Sequence, residues 1–275
     1  MYGRDKITYY MIGQENDGLV VVSAIDSSVL EQAKCLALKL ALPFQYFESV
    51  QKRSDGFFLL VTLKGIELYY CEDISMKPLR IDFTHGAVGF RYRMGGGRKQ
   101  ALAKAVGLKK GKTPRVLDAT AGLAKDAFVL AGLGCSVCML ERSKILVTLV
   151  QDAMQRARSH LAIADIIQTR LTMVNVDAIT YLKNLPVSDI FQVIYIDPMY
   201  PASERKNKAL VKKEMRILRA LIGDDVDVND LFQLALQKAV QRVVVKRPKY
   251  ADSLAGAMPS LYIESKNTRF DVYLV

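Results

Sequence analysis

Histidine is scarce in this chain: His85 and His160 are the only two among 275 residues. That shortage bears on the four cysteines, of which Cys135 and Cys138 form a C-x-x-C, a spacing used by redox and zinc sites. No second C-x-x-C and no clustered histidine completes a metal set, and GCSVCMLE reads as a buried strand. The pair is expected to pack as small apolar residues, and no metal is expected. Long apolar runs are missing as well. No segment is long enough to span a bilayer, and MYGRDKITYYMIG lacks the uninterrupted apolar core of a signal peptide, so a cytoplasmic protein is expected. Repeats and low-complexity stretches are absent. Acidic residues are in deficit, 28 against 39 basic, for a net charge of +11. An excess of that size favours a polyanionic partner, nucleic acid being the commonest, unless it is only a solvated basic surface.

What is present describes a globular protein: 51% hydrophobic and 24% charged residues. The first third reads as a small α+β module, residues 1–85. LVVVSAI is strand-like, and SSVLEQAKCLALKLAL has helical spacing with Ser28 and Glu31 as a capping box. FQYFESV, FFLLVTLKG and IELYYCED follow, the last two resembling a hairpin across Lys64-Gly65. Residues 74–97 end in three glycines and read as a turn-rich linker, followed by a helix in RKQALAKAVGL. Residues 86–275 form the second unit, in which apolar strands alternate with amphipathic helices. The strands are PRVLDAT, CSVCMLE, LTMVNVD, FQVIYID and QRVVVKRP, with LYIES and RFDVYLV as a closing hairpin. That alternation predicts an α/β, Rossmann-like parallel sheet with helices on both faces. Ligands of such sheets bind beyond the carboxyl ends of the strands.

Four strand ends stand out. The first, VLDATAGLAKDAF, places Asp118 at the strand end and Gly122 in the turn. With Ala124 at the second glycine position it is no G-x-G-x-x-G, so the turn suits a cofactor without phosphates, or is only a turn. The second ends at Glu141, 23 residues after Asp118, near the spacing of an acid that bonds a ribose hydroxyl pair. The third ends in NVDAI, where Asp177 beside Ala178 either accepts from an adenine amine or caps the next helix, two compatible roles. The fourth ends in Asp197-Pro198-Met199-Tyr200. A carboxylate and a carbonyl fixed by proline are two acceptors for an exocyclic amine, and Tyr200 offers a ring to stack on its base. Alone, the tetrapeptide is equally a proline-terminated strand.

VLDATAGLAKD, MLER, NVDA and IDPMY, in that order, resemble the class I S-adenosylmethionine-dependent methyltransferases that modify amino groups. With GGGRKQAL, KALVKKEMRIL, VVVKRP and NTRFDVY, the chain is similar over roughly residues 80–275 to the ribosomal RNA small-subunit methyltransferase J family. The resemblance implies S-adenosyl-L-methionine as cofactor and the N2 amine of a guanosine in small-subunit rRNA as acceptor. It also implies cofactor contacts from Lys125, Asp126, Glu141, Arg142, Asp177, Ala178 and Asp197. The chain departs from the pattern at Met199, where proline is usual, at Ala124, often glycine, and at Lys125, where the family has arginine.

Positive charge follows that reading. Lys208, Lys212, Arg216 and Arg219 recur at helical spacing after Tyr200, with Lys213 beside them. Lys246, Arg247 and Lys249 follow the fifth strand, and Arg91, Arg93 and Arg98 surround the triple glycine. Each cluster is either a solvated face or a contact to RNA phosphates, with small-subunit rRNA or the assembled subunit as partner. The rivals are an NAD-dependent oxidoreductase, which the glycine-poor first turn disfavours, an amino-methyltransferase of another nucleic acid or of protein, and a non-catalytic RNA-binding protein on the same fold.

Overall fold

Apolar runs and amphipathic segments alternate along the chain, and in the computed structural model they build two sheets. The structure describes residues 19–73, 75–85, 97–109, 111–200 and 213–275. The smaller sheet holds β1 (Val20–Ala24), β2 (Phe57–Thr62) and β3 (Gly65–Tyr70) in that order. β1 runs parallel to β2 through α1 (Leu30–Leu40) and α2 (Phe47–Val50), and β2 turns back into β3. Thr62 pairs with Gly65, so the turn is Leu63-Lys64. Gly65 adopts φ 118°, and a Cβ there would meet Arg156 Nε at 2.5 Å, so a bare backbone is required where the arginine crosses.

One local expectation is corrected, and one segment left unassigned in the sequence takes a form. Asp26 rather than Ser28 caps the first helical segment, accepting from the Ser28 amide at 2.9 Å, while Glu31 pairs with Lys34 at 3.0 Å. FQYFESV forms a helical turn, its Val50 and Gln51 amides donating to Tyr46 and Phe47 carbonyls.

The larger sheet has seven strands: β4 (Arg115–Asp118), β5 (Ser136–Glu141), β6 (Leu171–Asn175), β7 (Val193–Ile196), β8 (Arg242–Pro248), β9 (Leu261–Glu264) and β10 (Thr268–Leu274). Their order is β6-β5-β4-β7-β8-β10-β9. β4 to β8 are parallel, and β10 lies antiparallel between β8 and β9. Successive side chains on a strand point to opposite faces, and here both faces are covered. Val116, Met139, Tyr195 and Val244 join one core; Leu117, Leu140, Ile194 and Val245 join the other. The first core lies under α3 (Ala101–Ala105), α4 (Lys125–Gly132), α5 (Lys144–Ala157), α6 (Ala164–Arg170) and α8 (Lys213–Ile222). The second lies under α7 (Ala178–Lys183) and α9 (Val228–Lys238). α6, in ADIIQTR, is a helix the sequence reading leaves unassigned. Its helical face is only two buried residues, Ile166 and Ile167.

The small sheet shares the first core with the large one, since Val22, Leu59 and Leu68 belong to the same buried cluster as Leu146 and Val150. Lys144 Nζ donates to the Leu40 carbonyl at 2.9 Å, Arg156 Nη2 donates to the Ile81 carbonyl at 2.6 Å, and Phe83 stacks on Phe128 at 4.8 Å. The expected boundary at 85/86 adjoins residues 86–96, which lie outside the described residues. All four cysteines are free, Cys135 fully buried and Cys138 half-buried, whereas Cys35 is exposed.

The chain leaves β4 toward β5 and β6, then returns to β7 on β4's other side. The strand order therefore reverses between β4 and β7, and a crevice opens at their carboxyl ends. Asp118 ends one strand and Asp197 follows the other.

Candidate active site

A cavity of about 390 Å³ occupies that crevice, within the range of small-molecule sites. Its described lining includes all four strand ends singled out in the sequence: Asp118, Glu141, Asp177 and Asp197. Eight lining residues are acidic, from Asp118 round to Asp227, against three basic ones, Lys125, Arg142 and Lys246. In a protein of net charge +11 this is an inversion of the overall sign, and it suits a cationic ligand.

The loop after β4 is held by the strands beside it. The amide of Ala119 donates to the Tyr195 carbonyl at 2.9 Å and that of Ala121 to the Leu140 carbonyl at 3.0 Å. Thr120 N–H reaches Asp118 Oδ1 at 3.2 Å, Gly122 N–H reaches Glu141 Oε2 at 2.9 Å, and Ala124 N–H reaches the Ala121 carbonyl at 2.7 Å. A phosphate-binding turn keeps its amides free for the anion. Here they are consumed, which excludes a pyrophosphate cradle of that kind. Ala124 holds φ 55°, the left-handed conformation that glycine would adopt freely, so the departure from glycine leaves the backbone path intact.

Glu141 is buried and fixed at both oxygens, accepting Ser143 N–H at Oε1 (2.8 Å) and Gly122 N–H at Oε2 (2.9 Å). Burial pushes its carboxyl above the usual range, and the two amides oppose that shift. Each oxygen retains a lone pair for a hydroxyl. Asp177 caps α7, accepting Thr180 N–H at 2.8 Å, and still lines the cavity, so its two expected placements coexist. Ala178 lies beside it.

Arg142 donates to Asp225 Oδ1 at 2.6 Å and Asp227 Oδ2 at 3.2 Å, in the loop between α8 and α9. The other oxygen of Asp225 accepts the Met199 amide at 2.7 Å. This accounts for the departure at Met199: a proline there would have no N–H to give. Asp225 and Asp227 are lining residues the sequence reading missed. The acid-rich GDDVDVND was the available signal, but nothing local said that a loop between two helices folds over the crevice.

Around Asp197 the elements converge. Its amide donates to Thr120 Oγ1 at 2.6 Å, and its Oδ2 accepts from Lys246 Nζ at 2.7 Å. The same ammonium donates to Asp126 Oδ2 at 2.9 Å, which also accepts from the buried Tyr195 hydroxyl at 2.6 Å. Burial raises the Asp197 carboxyl above its usual range; Lys246 opposes this and Asp126 adds to it. The Asp197 side chain nonetheless opens on the cavity, 36% exposed. Burial alone would lower the Lys246 ammonium, but Asp197 and Asp126 outweigh it and raise its pKa.

Several expected contacts lie elsewhere. Tyr200 is buried and outside the described cavity lining: its hydroxyl donates to the Lys246 carbonyl at 2.9 Å, and the Arg247 guanidinium covers its ring at 4.2 Å. Arg247 is 5% exposed and also donates to the Asp252 carbonyl, so it is an internal residue rather than one facing RNA. Lys246 is likewise internal to the site. β8 lies inside the sheet between β7 and β10, and its side chains turn to covered faces. Lys125 forms an ion pair with Glu214 of α8 while lining the cavity, and Arg216 pairs with Asp73 of the small module at 3.2 Å. Arg98 donates to the Lys109 and Leu133 carbonyls. Leu133 precedes β5, so Arg98 sits at the amino edge of the sheet, opposite the cavity. Lys208, Lys212, Arg91, Arg93 and the Lys213 side chain lie outside the described residues. Among the described residues no helix is long and apolar enough to cross a membrane, and no group of three His, Cys, Asp or Glu is placed to hold a metal ion.

The chain is similar to known proteins along most of its length. The family described as "Putative SAM-dependent methyltransferase" matches residues 44–275. A relative from Nitrosococcus oceani named ribosomal RNA small subunit methyltransferase J is 46% identical, covering 89% of this chain and 94% of its own. One of the same name from Coxiella burnetii is 43% identical over 94% of this chain and 98% of its own. The crystal structure of a SAM-dependent methyltransferase from Neisseria gonorrhoeae superposes with a TM-score of 0.70 at 30% identity, covering 93% of this chain and 95% of that one.

Proposed function

The chain belongs to the ribosomal RNA small-subunit methyltransferase J family, and on that premise we propose that it transfers a methyl group from S-adenosylmethionine to the N2 amine of a guanosine in small-subunit rRNA. The observation that supports this most is the acidic crevice with Glu141 fixed at one strand end and Asp197 presented at another. A cationic nucleoside without phosphates suits that donor set, and a dinucleotide does not.

Glu141 would accept from the ribose hydroxyls, and Asp177 beside Ala178 from the adenine amine. Asp118, Gly122, Asp126 and Arg142 complete the wall, with Lys125 at its rim. When bound, the cofactor supplies a methyl carbon whose bond to sulfur breaks as the amine nitrogen bonds to it, the electron pair staying on sulfur. The guanine amine is a weak nucleophile because its lone pair is delocalised into the ring. Asp197 and the Pro198 carbonyl take its hydrogens, hold it in line and turn the lone pair toward the methyl. Asp197 then accepts the proton that the nitrogen sheds. With Tyr200 buried under Arg247, its part is to brace the backbone behind Pro198. Lys208, Lys212 and Lys213, next to the motif in sequence, are the candidates for RNA phosphates.

Replacing Asp197 by alanine tests this. Methylation of small subunits from a strain lacking the protein is expected to fall by about 100-fold or more, with the melting temperature retained. Turnover close to that of the unaltered protein would overturn the assignment.

A further inference from the structure

Lys246 follows the apolar run Val243, Val244 and Val245 within β8, where a basic residue near an RNA enzyme's cleft reads as a phosphate contact. Its surroundings say otherwise. Nζ is seated between Asp126 Oδ2 at 2.9 Å and Asp197 Oδ2 at 2.7 Å, on three different elements: β8, α4 and the end of β7. Asp126 is 7% exposed and takes the Tyr195 hydroxyl at the same oxygen, so the inner anchor is fixed. Both strong contacts of the ammonium are turned into the crevice.

We propose that Lys246 is a positioning residue for the methyl transfer: anchored on Asp126, it holds Asp197 as an oriented carboxylate with Oδ1 left for the incoming amine. The inference rests on the reading of the protein as an amine methyltransferase. Among the described residues Oδ1 of Asp197 takes no hydrogen bond, while Oδ2 is occupied. The guanine N2 amine is a donor, and an ionised carboxylate accepts from it at Oδ1 without offering a hydrogen of its own. A protonated Asp197 would offer a hydrogen where one is already present.

The charges around Asp197 make ionisation conditional. Asp126 faces it from α4 and Asp225 from the loop after α8, with Asp118, which burial holds towards its neutral form, at the end of β4; Lys246 is the cation that opposes the two charges. Crowded carboxylates cannot all ionise without such a partner. Removing the ammonium therefore drives the Asp197 pKa upward, and removing the Asp126 charge drives it downward.

The test uses Lys246→Met, Lys246→Arg and Asp126→Asn in the full chain. Single-turnover methylation of small subunits is followed across pH, with calorimetric titration of S-adenosylmethionine and a thermal melt for each variant. Lys246→Met is expected to slow transfer by about 100-fold near neutral pH while still binding the cofactor, with its acid limb moved to higher pH. Lys246→Arg restores the limb to its original position. Asp126→Asn moves it to lower pH. A Lys246→Met rate reduced by the same factor at every pH, or reduced only as far as its melting temperature falls, overturns the inference. Should Lys246→Met not fold, an unmoved or raised limb in Asp126→Asn overturns it instead. Mapping the product of the unaltered protein separates the two claims. If no amine is methylated, the functional reading fails and takes this inference with it. If an amine is methylated but the limbs do not move, only the role of Lys246 fails.

Discussion

The Gly122 amide donates to Glu141 Oε2 at 2.9 Å, joining the turn after one strand to the acid that ends its neighbour. The acid is thereby aimed before any ligand arrives, and the turn takes its shape from the same bond. Replacing Glu141 by glutamine puts an NH₂ against one of two backbone amides, because Ser143 N–H occupies the other oxygen. Cofactor affinity is expected to fall by about 10- to 100-fold, and stability by about 1–3 kcal/mol. Calorimetry and denaturant unfolding measure the two effects; unchanged affinity would remove Glu141 from the cofactor site.

Met199 supplies an amide to Asp225, whose other oxygen holds Arg142. Met199→Pro restores the usual motif but strips that donor, leaving Asp225 short of a partner. A loss of about 1–3 kcal/mol is expected, while Met199→Ala, which keeps the amide, retains the hydrogen bond. Comparing urea unfolding of the two variants reads this directly. Equal stability would mean that the amide is not what the position needs.

Asp118 is buried beside Asp126 and Asp197, and burial pushes its carboxyl well above the ordinary value. A raised folded-state pKa favours the protonated form in the folded protein. The contribution to stability is thus full below the unfolded value near about 4 and is lost as pH rises through the folded value. Asp118→Asn keeps the acceptor for Thr120 N–H and has no charge to bury. Its stability relative to the unaltered protein is expected to increase as pH rises above about 4.5 and to level off once the folded value is passed, as thermal melts would show. A difference that does not change with pH would mean that Asp118 is not held in its neutral form.

Arg247 covers Tyr200 from within the sheet. Arg247→Lys loses the flat guanidinium and is expected to cost about 1–2 kcal/mol of stability, with the salt dependence of subunit binding unchanged. A phosphate-binding arginine would instead lower the salt slope by about one.

The sheet, its order of elements and the four acidic strand ends were legible in the sequence because each is a local signal, an apolar run stopped by a carboxylate. What was not legible is what topology imposes. Lys246 meets Asp126 and Asp197, and Arg247 covers Tyr200, so two apparent surface cations face inward. Arg98 precedes β4 and so falls at the amino edge, whereas the crevice lies at the carboxyl edge. Asp225 is 26 residues from the Met199 amide it holds, a distance no local pattern spans.

Everything proposed for the crevice turns on the acceptor atom. Small subunits from a strain lacking this protein, incubated with it and labelled S-adenosylmethionine, digested to nucleosides and separated by mass spectrometry, test it most directly. Label is expected in N2-methylguanosine at a single position of the small-subunit rRNA. Label in another nucleoside, in ribosomal protein, or in nothing at all would contradict it.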